Sequence, residues 1–519
     1  MTEGPEGLDR AAAADAATIA PVRGAATLFG DISALFLSRA ATIVLTVASV
    51  VVMTRILGPT DYGTYAYVTV IATVVFTVAS AWTAPAIIRF GRERLEERGE
   101  MVAVTWERLR ITTPVVAIVS LCIVVVALAG GLPAVFGWEL VTIALAYGVV
   151  LVLSDHIVWV LQALGRMKLG SAGIVARQAA VLVALCIVLL VAPRGSVLAV
   201  ALVTLGGSAL LTAAFVPFGW KRALWPPATD AVLRRQLLRF SFPMFAFTLS
   251  QYVIQTIDLP LIGIFRGSRD VGLYALAYRA YTVLQQLATV SVAVLTPLFV
   301  SMRLAGREHV VRLFAERAVW QVTFLASSAM GLVVPLVPLL VPQLFGARFA
   351  GATQPLVILL GATLLLVTAN LLAPVLLLHE ASASVGLTNG LAAVINIVLD
   401  LLLLGVFGLG IWSPAAATVL SVAVIVGGYL RTAHRRSGAV GTARLVALLP
   451  TAVALIPALT LDPAPAAEVG VPVVLVVAAA VLVWGRLFRP ADAELIAHLD
   501  LPRPLRRLVL AGIAFGSRS

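Results

Sequence analysis

The chain has 519 residues, of which 61% are hydrophobic and only 12% are charged, and its mean hydropathy is +1.03. These values exclude an ordinary soluble globular protein and are typical of a protein that crosses the bilayer many times. The net charge of +12 does not indicate nucleic-acid binding, because the basic residues are spread over many short loops, as bilayer insertion requires. Cys122 and Cys186 lie in separate apolar segments and indicate neither a disulfide framework nor a cysteine-based metal site.

Apolar runs of about 17 to 30 residues follow one another along the chain, each long enough to cross roughly 30 Å of hydrocarbon as a helix. The sequence contains fourteen such runs and therefore predicts an all-α polytopic membrane protein. The expected spans are 28–53, 64–88, 111–130, 139–164, 171–192, 196–219, 240–265, 270–301, 318–345, 350–378, 383–406, 411–430, 445–461 and 469–487.

Lys and Arg residues are distributed unequally between the two faces of this arrangement. Of the 37, 30 lie on the face that carries both termini, five lie on the opposite face, and Arg39 and Arg279 lie within spans. Because basic loops are retained on the cytoplasmic side, both termini are expected to be cytoplasmic. Residues 1–26 then form a polar cytoplasmic tail, which lacks the apolar core of a signal peptide, and residues 490–519 form a basic one.

A ten-residue motif occurs twice in the chain. GPTDYGTYAY at 58–67 is repeated 209 residues later as GSRDVGLYAL at 267–276, and six spans separate the two copies. The chain is therefore expected to contain two similarly oriented lobes of six helices, 27–222 and 231–436, followed by two further helices within 442–489. In parallel repeats of this kind the substrate site forms at the interface between the lobes.

Four residues of the motif are expected to be structural. Asp61 and Asp270 are suited to cap the helix that follows each turn, because a carboxylate is favourable at a helix N-terminus. Tyr65 and Tyr274 are suited to the aromatic belt at the membrane interface.

Arg39 and Arg279 are the first candidates for substrate binding. Arg39 lies about eleven residues into the first span and Arg279 about nine into the eighth, so both are expected near mid-depth. A charge at the centre of a span costs roughly 2.5 to 3.5 kcal/mol and usually faces a cavity or a partner. The planar guanidinium suits phosphate oxygens, although each Arg could instead pair with a carboxylate in a purely architectural role.

The seventh span carries a polar stripe. Gln251, Gln255 and Asp258 are spaced i, i+4 and i+7, which places them on one face of a continuous helix. We expect this face to bind the polar part of a substrate, while Asp258 could also pair with an Arg or take part in cation coupling. Hydroxyl rows in spans 1 and 2 are expected mainly to bond to backbone carbonyls or to pack against helices. These rows include Thr42, Thr46, Ser49, Thr69, Thr73 and Thr77.

Further polar residues are candidates for ion coupling or for the cavity. Asn396 and Asp400 lie one turn apart in the eleventh span, and Asp155 lies beside His156 in the fourth. Carboxylates within spans are common in proton or cation relays, but each of these could equally clamp two helices together. The histidines show no metal-binding spacing, so no metal site is expected.

The sequence resembles a known family at the motif. RILGPTDYGTYAYVTVIATVV, its weaker copy GIFRGSRDVGLYALAYRA, the Arg within the first span and the plan of twelve plus two helices are similar to the polysaccharide-repeat-unit flippases. These flippases belong to the multidrug/oligosaccharidyl-lipid/polysaccharide exporter superfamily. The resemblance implies movement of an undecaprenyl-pyrophosphate-linked oligosaccharide from the inner to the outer leaflet of the bacterial cytoplasmic membrane, without a cofactor. The implied partners are the lipid-linked oligosaccharide, membrane lipids and a downstream polymerase or ligase.

Three other classes of protein compete with this interpretation. An enzyme is not expected, because the loops are short and carry no paired carboxylates, P-loop or nucleophile motif. A drug/cation antiporter and a peptidoglycan-precursor lipid flippase of the same superfamily remain open. With no ATP-binding motif, energy for alternating access between the lobes is expected from an ion gradient, the membrane potential or consumption of the product.

Overall fold

The computed structural model of the chain describes residues 25–131, 136–192, 195–219, 223–304, 306–379, 381–437, 442–484 and 487. Every regular element within these ranges is a helix, and several helices are joined by short 3-10 or π segments. The α-helices are α1 Ala25–Ile56, α2 Pro59–Ala79, α3 Ala84–Arg98, α4 Val102–Leu128, α5 Trp138–Ala163, α6 Met167–Val191, α7 Val197–Phe215, α8 Ala231–Thr256, α9 Asp258–Phe265, α10 Ser268–Leu304, α11 Glu308–Leu313, α12 Val319–Val333, α13 Val337–Phe345, α14 Thr353–Leu378, α15 Ser382–Asp400, α16 Trp412–Ser437, α17 Leu449–Thr460 and α18 Pro463–Trp484.

The prediction of an all-α polytopic membrane protein is confirmed. Twelve helical segments among the described residues are long and apolar enough to cross a membrane. The two remaining predicted spans coincide with α10, a helix of 37 residues, and with the shorter apolar segment Arg444–Thr460. Almost all of the two predicted tails, 1–26 and 490–519, lies outside the described residues.

The helices pack mainly with others from the same part of the chain. Among the first six spans, α1 packs on α6, α2 on α5, and α7 on both α5 and α6. In the second group, α14 packs on α10 and α16, and α15 packs on α8 and α16. α17 and α18 pack on each other and on α12. These contacts support two helix groups with an added pair, while the lobe boundaries at residues 222 and 231 stay a prediction.

The two copies of the motif meet where the groups touch. α2 and α10 begin at Pro59 and Ser268, which are equivalent positions of the repeat, and the two helices pack together. A Cβ on Gly63 would overlap the carbonyl oxygen of Ser268, and a Cβ on Gly272 would overlap that of Pro59. Each would also lie within 2.9 Å of the other glycine's amide nitrogen. Only glycine permits so close a backbone approach.

The expectation of an interfacial belt for the motif tyrosines is wrong. Tyr65 and Tyr274 are buried in the hydrophobic core that contains residues of both helix groups. Their hydroxyl groups donate to Thr204 and Asp258, respectively. Neighbouring Tyr62 packs edge-to-face on Phe349 at 5.8 Å. The backbone contact of the glycines explains this placement, because it buries the residues beside them.

The expected carboxylate cap of α2 is absent as well. The N-cap is Gly58, which makes no side-chain cap bond, and exposed Asp61 lies within the first turn. There its charge is still favourable to the helix dipole. Asp270 likewise lies in the first turn of α10.

Candidate substrate cavity and buried carboxyl pair

A polar cavity of about 540 Å³ lies between the two helix groups. The first group contributes residues of α1, α2, α5, α6 and α7, and the second contributes residues of α8, α9 and α10. Along α2 the cavity begins beside the motif contact, at Tyr62, and it extends to Ala81 and Gln286. It therefore lies at the interface where the repeat predicts the substrate site.

Two arginines give the cavity its charge. Arg177 on α6 and Arg279 on α10 line it from opposite groups, and the lining described by the structure includes no Asp or Glu. A guanidinium nitrogen of Arg177 donates to the Ser154 hydroxyl at 3.2 Å. Arg279 is exposed to the cavity. The cavity is thus suited to an anionic group, because an arginine fork binds phosphate oxygens through two parallel hydrogen bonds.

The remaining polar lining is neutral. The Gln178 amide donates to Ser49 at 3.1 Å, and the Gln251 amide donates to Asn389 at 2.8 Å. Amide and hydroxyl groups of this kind suit sugar hydroxyls, which both donate and accept hydrogen bonds. The neutral polar residues of the lining are Thr46, Ser49, Tyr62, Tyr65, Thr69, Thr73, Thr77, Tyr147, Gln178, Thr204, Ser208, Thr248, Gln251, Tyr252, Gln255, Thr256, Tyr278, Thr282 and Gln286.

Three predicted substrate residues lie in this lining, namely Arg279, Gln251 and Gln255. Arg39 does not belong to the described lining. It lies 17 residues before the end of α1, about 25 Å along the helix axis, whereas Arg279 lies about 16 Å from the start of α10. Arg39 is therefore farther than Arg279 from the motif end of its helix, and the mid-depth position of both stays a prediction.

Asp258 does not share the polar face of Gln251 and Gln255. The predicted seventh span is interrupted after Thr256, and Asp258 begins the separate helix α9. Ile257, between the two helices, keeps helical dihedral angles, and Leu259 still lines the cavity. Asp258 is instead turned toward α10 and α16, where it accepts from Tyr274 and Thr418. The side chain of Asp258 is 1% exposed and is not part of the cavity lining.

Asp258 instead forms a buried pair with Asp400, defined here as the carboxyl pair. The two buried carboxyl groups are close enough to interact electrostatically, and Asp258 Oδ1 and both oxygens of Asp400 have no hydrogen-bond partner among the described residues. Tyr274 of α10 and Thr418 of α16 donate to the same Asp258 oxygen, the latter at 3.1 Å. Asn396, one turn before Asp400, is buried beside them, and its amide has no partner among the described residues. Two ionised carboxylates in contact would repel strongly in a buried site, so the pair requires a proton or another cation between them.

Asp155 belongs to a second buried network, centred on Arg108. Arg108 is 2% exposed and donates to Asp155 at 3.0 Å, to Thr83 at 2.8 Å and to Nδ1 of His156 at 3.0 Å. Trp159 donates to the other carboxylate oxygen of Asp155. This arrangement joins α4, α5 and the turn between α2 and α3.

Arg177 and Arg108 were missed as candidates from the sequence. In the sequence both resemble basic residues that flank spans. Arg177 lies seven residues into the predicted span 171–192, and this position is a signal that could have identified it. Arg108 precedes the predicted span 111–130, whereas α4 begins at Val102 and already includes it. No cluster of three or more potential metal ligands occurs among the described residues.

Ion pairs connect the helix groups at the end of the bundle opposite the motif. The Arg94 guanidinium donates to Asp230 at 2.7 Å, and the Glu107 carboxylate accepts from the Asp230 backbone amide at 2.8 Å. Asp230 also caps α8 by accepting from the Leu233 amide. This backbone hydrogen bond and the Arg94 charge lower the pKa of Asp230. The first turns of α8 are thereby attached to α3 and α4.

A family profile described as "Polysaccharide biosynthesis protein" matches residues 28–303, which is more than half of the chain. The chain belongs to this family. The placement agrees with the resemblance that the motif indicates. The sequence matches no curated protein at a significant level.

Solved structures show the same fold at low identity. The lipid II flippase MurJ in an inward closed conformation has a TM-score of 0.66 and 12% identity, covering 86% of this chain and 98% of that one. An inward-facing multidrug resistance MATE family transporter of the MOP superfamily has a TM-score of 0.57 and 16% identity, with coverages of 76% and 95%. A MOP superfamily transporter from Pyrococcus furiosus has a TM-score of 0.51 and 15% identity, with coverages of 79% and 96%. The fold is that of MOP-superfamily transporters.

Proposed function

We propose that this membrane protein is a flippase that moves a lipid-linked oligosaccharide, carried on undecaprenyl pyrophosphate, from the inner to the outer leaflet. The observation that carries the proposal is the cavity itself, in which Arg177 and Arg279 face a neutral polar wall. The match to the polysaccharide biosynthesis protein family supports the same substrate class.

The charge of the cavity suits a pyrophosphate diester. Such a group carries two negative charges, and two guanidinium groups from opposite helix groups balance them. Glutamine, threonine and tyrosine side chains around them supply donors and acceptors for the adjoining sugars, with Gln251 and Gln255 on one wall. Arg39, nearer the N-terminal end of α1, is suited to contact the head group before it reaches the cavity.

Two related functions compete with this proposal. A drug/cation antiporter would favour a carboxylate in the cavity, whereas the described lining carries two cations and no acid. A peptidoglycan-precursor flippase would use the same pyrophosphate chemistry, and the fold similarity to MurJ favours it as the second candidate.

Transport would proceed by alternating access, with lobes 27–222 and 231–436 rocking about the cavity. We place the protein in the bacterial cytoplasmic membrane with both termini cytoplasmic, so the motif lies at the outer face. The helices within 442–489 would border the lipid tail, and a polymerase or ligase would receive the product. No covalent bond is broken in this scheme. The carboxyl pair would bind the coupling proton or cation, while Asp155 would hold Arg108 in place.

The experiment is transport by the purified protein in proteoliposomes. A fluorescent undecaprenyl-pyrophosphate oligosaccharide should be moved to the opposite leaflet, as reported by its access to an impermeant reducing agent. A peptidoglycan-precursor lipid and a fluorescent cationic drug serve as competing substrates. Movement of the drug without movement of the oligosaccharide would contradict the proposal, and preference for the peptidoglycan precursor would establish the second candidate instead.

A further inference from the structure

The outer end of the cavity is closed by contacts between the two helix groups. Gly63 and Gly272 meet backbone to backbone, and the Arg55 guanidinium of α1 donates to the Gln343 carbonyl of α13 at 3.2 Å. Ala66, one turn beyond Gly63, is 5% exposed and lines the cavity. Substrate release at the outer face therefore requires these contacts to separate.

Tyr274 joins this closure to the carboxyl pair. It lies two residues after Gly272 on α10 and is fully buried. Its hydroxyl donates to Asp258, whose carboxyl group contacts Asp400 of α15. One hydrogen bond thus connects the turn that closes the cavity to an acidic site on other helices.

The first copy of the motif lacks this connection. Tyr65 is equivalent to Tyr274 in the repeat, but its hydroxyl donates to the neutral hydroxyl of Thr204 at 3.3 Å. The strength of a hydrogen bond to a carboxylate depends on whether that carboxylate is ionised, whereas a bond to a threonine hydroxyl does not change in this way. Only the second copy can respond to the charge of its partner.

We propose that Tyr274 is a positioning residue that ties the charge of the carboxyl pair to closure of the outer face. While Asp258 is ionised, its strong bond to Tyr274 holds the first turns of α10 where Gly272 meets Gly63. When the pair is neutralised the bond weakens and the closure loosens. The described groups that face Asp258 are Asp400 of α15, Thr418 of α16 and the α10 tyrosines Tyr274, Tyr278 and Tyr281.

The test measures access to the cavity from outside. In a background that carries Cys122→Ala and Cys186→Ala, the single cysteine of Ala66→Cys is labelled in whole cells by a membrane-impermeant thiol reagent. Asp258→Asn and Tyr274→Phe should each raise the labelling rate by about tenfold, as expected for loss of one charge-assisted hydrogen bond. The double variant should be labelled no faster than either single variant, because both changes break the same bond.

Matched controls separate this role from general loosening. Tyr65→Phe should leave the effect of Asp258→Asn intact, because the Tyr65 hydroxyl donates to Thr204 and not to the carboxyl pair. If Asp258→Asn fails to fold, as judged by thermal unfolding in detergent, Tyr274→Phe is compared with Tyr274 in an Asp400→Asn background, where Asp258 can still ionise and the tenfold increase should persist. The proposal would be overturned if the increases in labelling rate of the two single variants multiplied in the double variant. It would also be overturned if the single variants folded but were labelled at the parent's rate. The inference rests on the proposed transport through this cavity. Because the labelling experiment needs no glycan, a negative labelling result is distinguishable from failure of the proposed function.

Discussion

Gly63 and Gly272 are 209 residues apart in the chain, occupy the same position of a repeated motif and contact each other backbone to backbone. Each lies on a helix that begins at the equivalent residue, and each is covered by the first turn of the other helix. The repetition of the motif therefore has a physical reason. A symmetric contact between two similar halves requires the same small residue on both sides.

The first prediction concerns this contact. Gly63→Ala and Gly272→Ala should each lower the stability of the purified protein by about 1 to 3 kcal/mol, because each methyl group overlaps a backbone carbonyl that cannot move aside. Thermal unfolding in detergent measures the effect. Gly206→Ala is the matched control, since Gly206 lies in helix α7 with open space around it and alanine is favoured there by about 0.5 to 1 kcal/mol. Equal effects at all three glycines would contradict the role assigned to the contact.

The second prediction concerns the cavity arginines. Arg177→Ala and Arg279→Ala should each weaken binding of a short-chain polyprenyl pyrophosphate about 10- to 150-fold, because each removes a charge-assisted hydrogen bond. Lysine should rescue only part of the loss, since it keeps the charge but not the planar fork. Ligand-induced thermal stabilisation of the purified protein measures the affinity.

Arg39→Ala tests whether Arg39 contributes to equilibrium binding of the head group or mainly to the rate of transport. Because Arg39 lies outside the described lining, this variant should keep most of the equilibrium affinity and reduce mainly the rate of transport in proteoliposomes. A loss of affinity as large as that of Arg279→Ala would instead place Arg39 at the bound head group. Unchanged affinity in Arg177→Ala and Arg279→Ala would remove the cavity from the binding scheme.

The third prediction concerns orientation, which rests on the 30-to-5 distribution of basic residues. A reporter that is active only outside the cytoplasm should be active in fusions truncated near Pro59, Ser268 or Pro463. It should be silent in fusions truncated near Gly99, Ala228 or Ser437. Silent fusions at both Ser437 and Pro463 would mean that the apolar segment Arg444–Thr460 does not cross the membrane.

Much of the fold follows from the sequence because its signals are additive over many residues. Hydropathy over about 20 positions identifies a span, and the sum of charges over many loops indicates orientation. The family was likewise predicted from a motif of several residues. None of these inferences depends on the exact position of one side chain.

The candidate site was predicted less completely because it depends on single positions. Arg279, Gln251 and Gln255 were identified, since each is polar within an apolar span. The Asp258 side chain is buried outside the lining, because the spacing of polar residues in one helix does not show which neighbouring helices cover them. Arg177 was missed because a basic residue near a span boundary is ordinarily attributed to the loop.

The last prediction concerns the ion pairs at the end of the bundle opposite the motif. Asp230→Asn should remove the charge that Arg94 contacts but keep the cap of α8, because asparagine is also a favourable N-cap residue. The pair is partly exposed, so the expected loss is about 1 kcal/mol or less. Asp230→Ala should cost about 1 kcal/mol more, because it removes the cap as well.

The same ion pair predicts a pH dependence. The pKa of Asp230 is lowered in the fold, so the stability that its charge contributes is present above the ordinary value of 3.8 and is lost as the pH falls through the lower folded value. The difference in melting temperature between the parent and Asp230→Asn should therefore stay constant from about pH 8 to pH 5 and shrink only below about pH 4. A difference that already disappears between pH 8 and pH 5 would assign the effect to another titrating group.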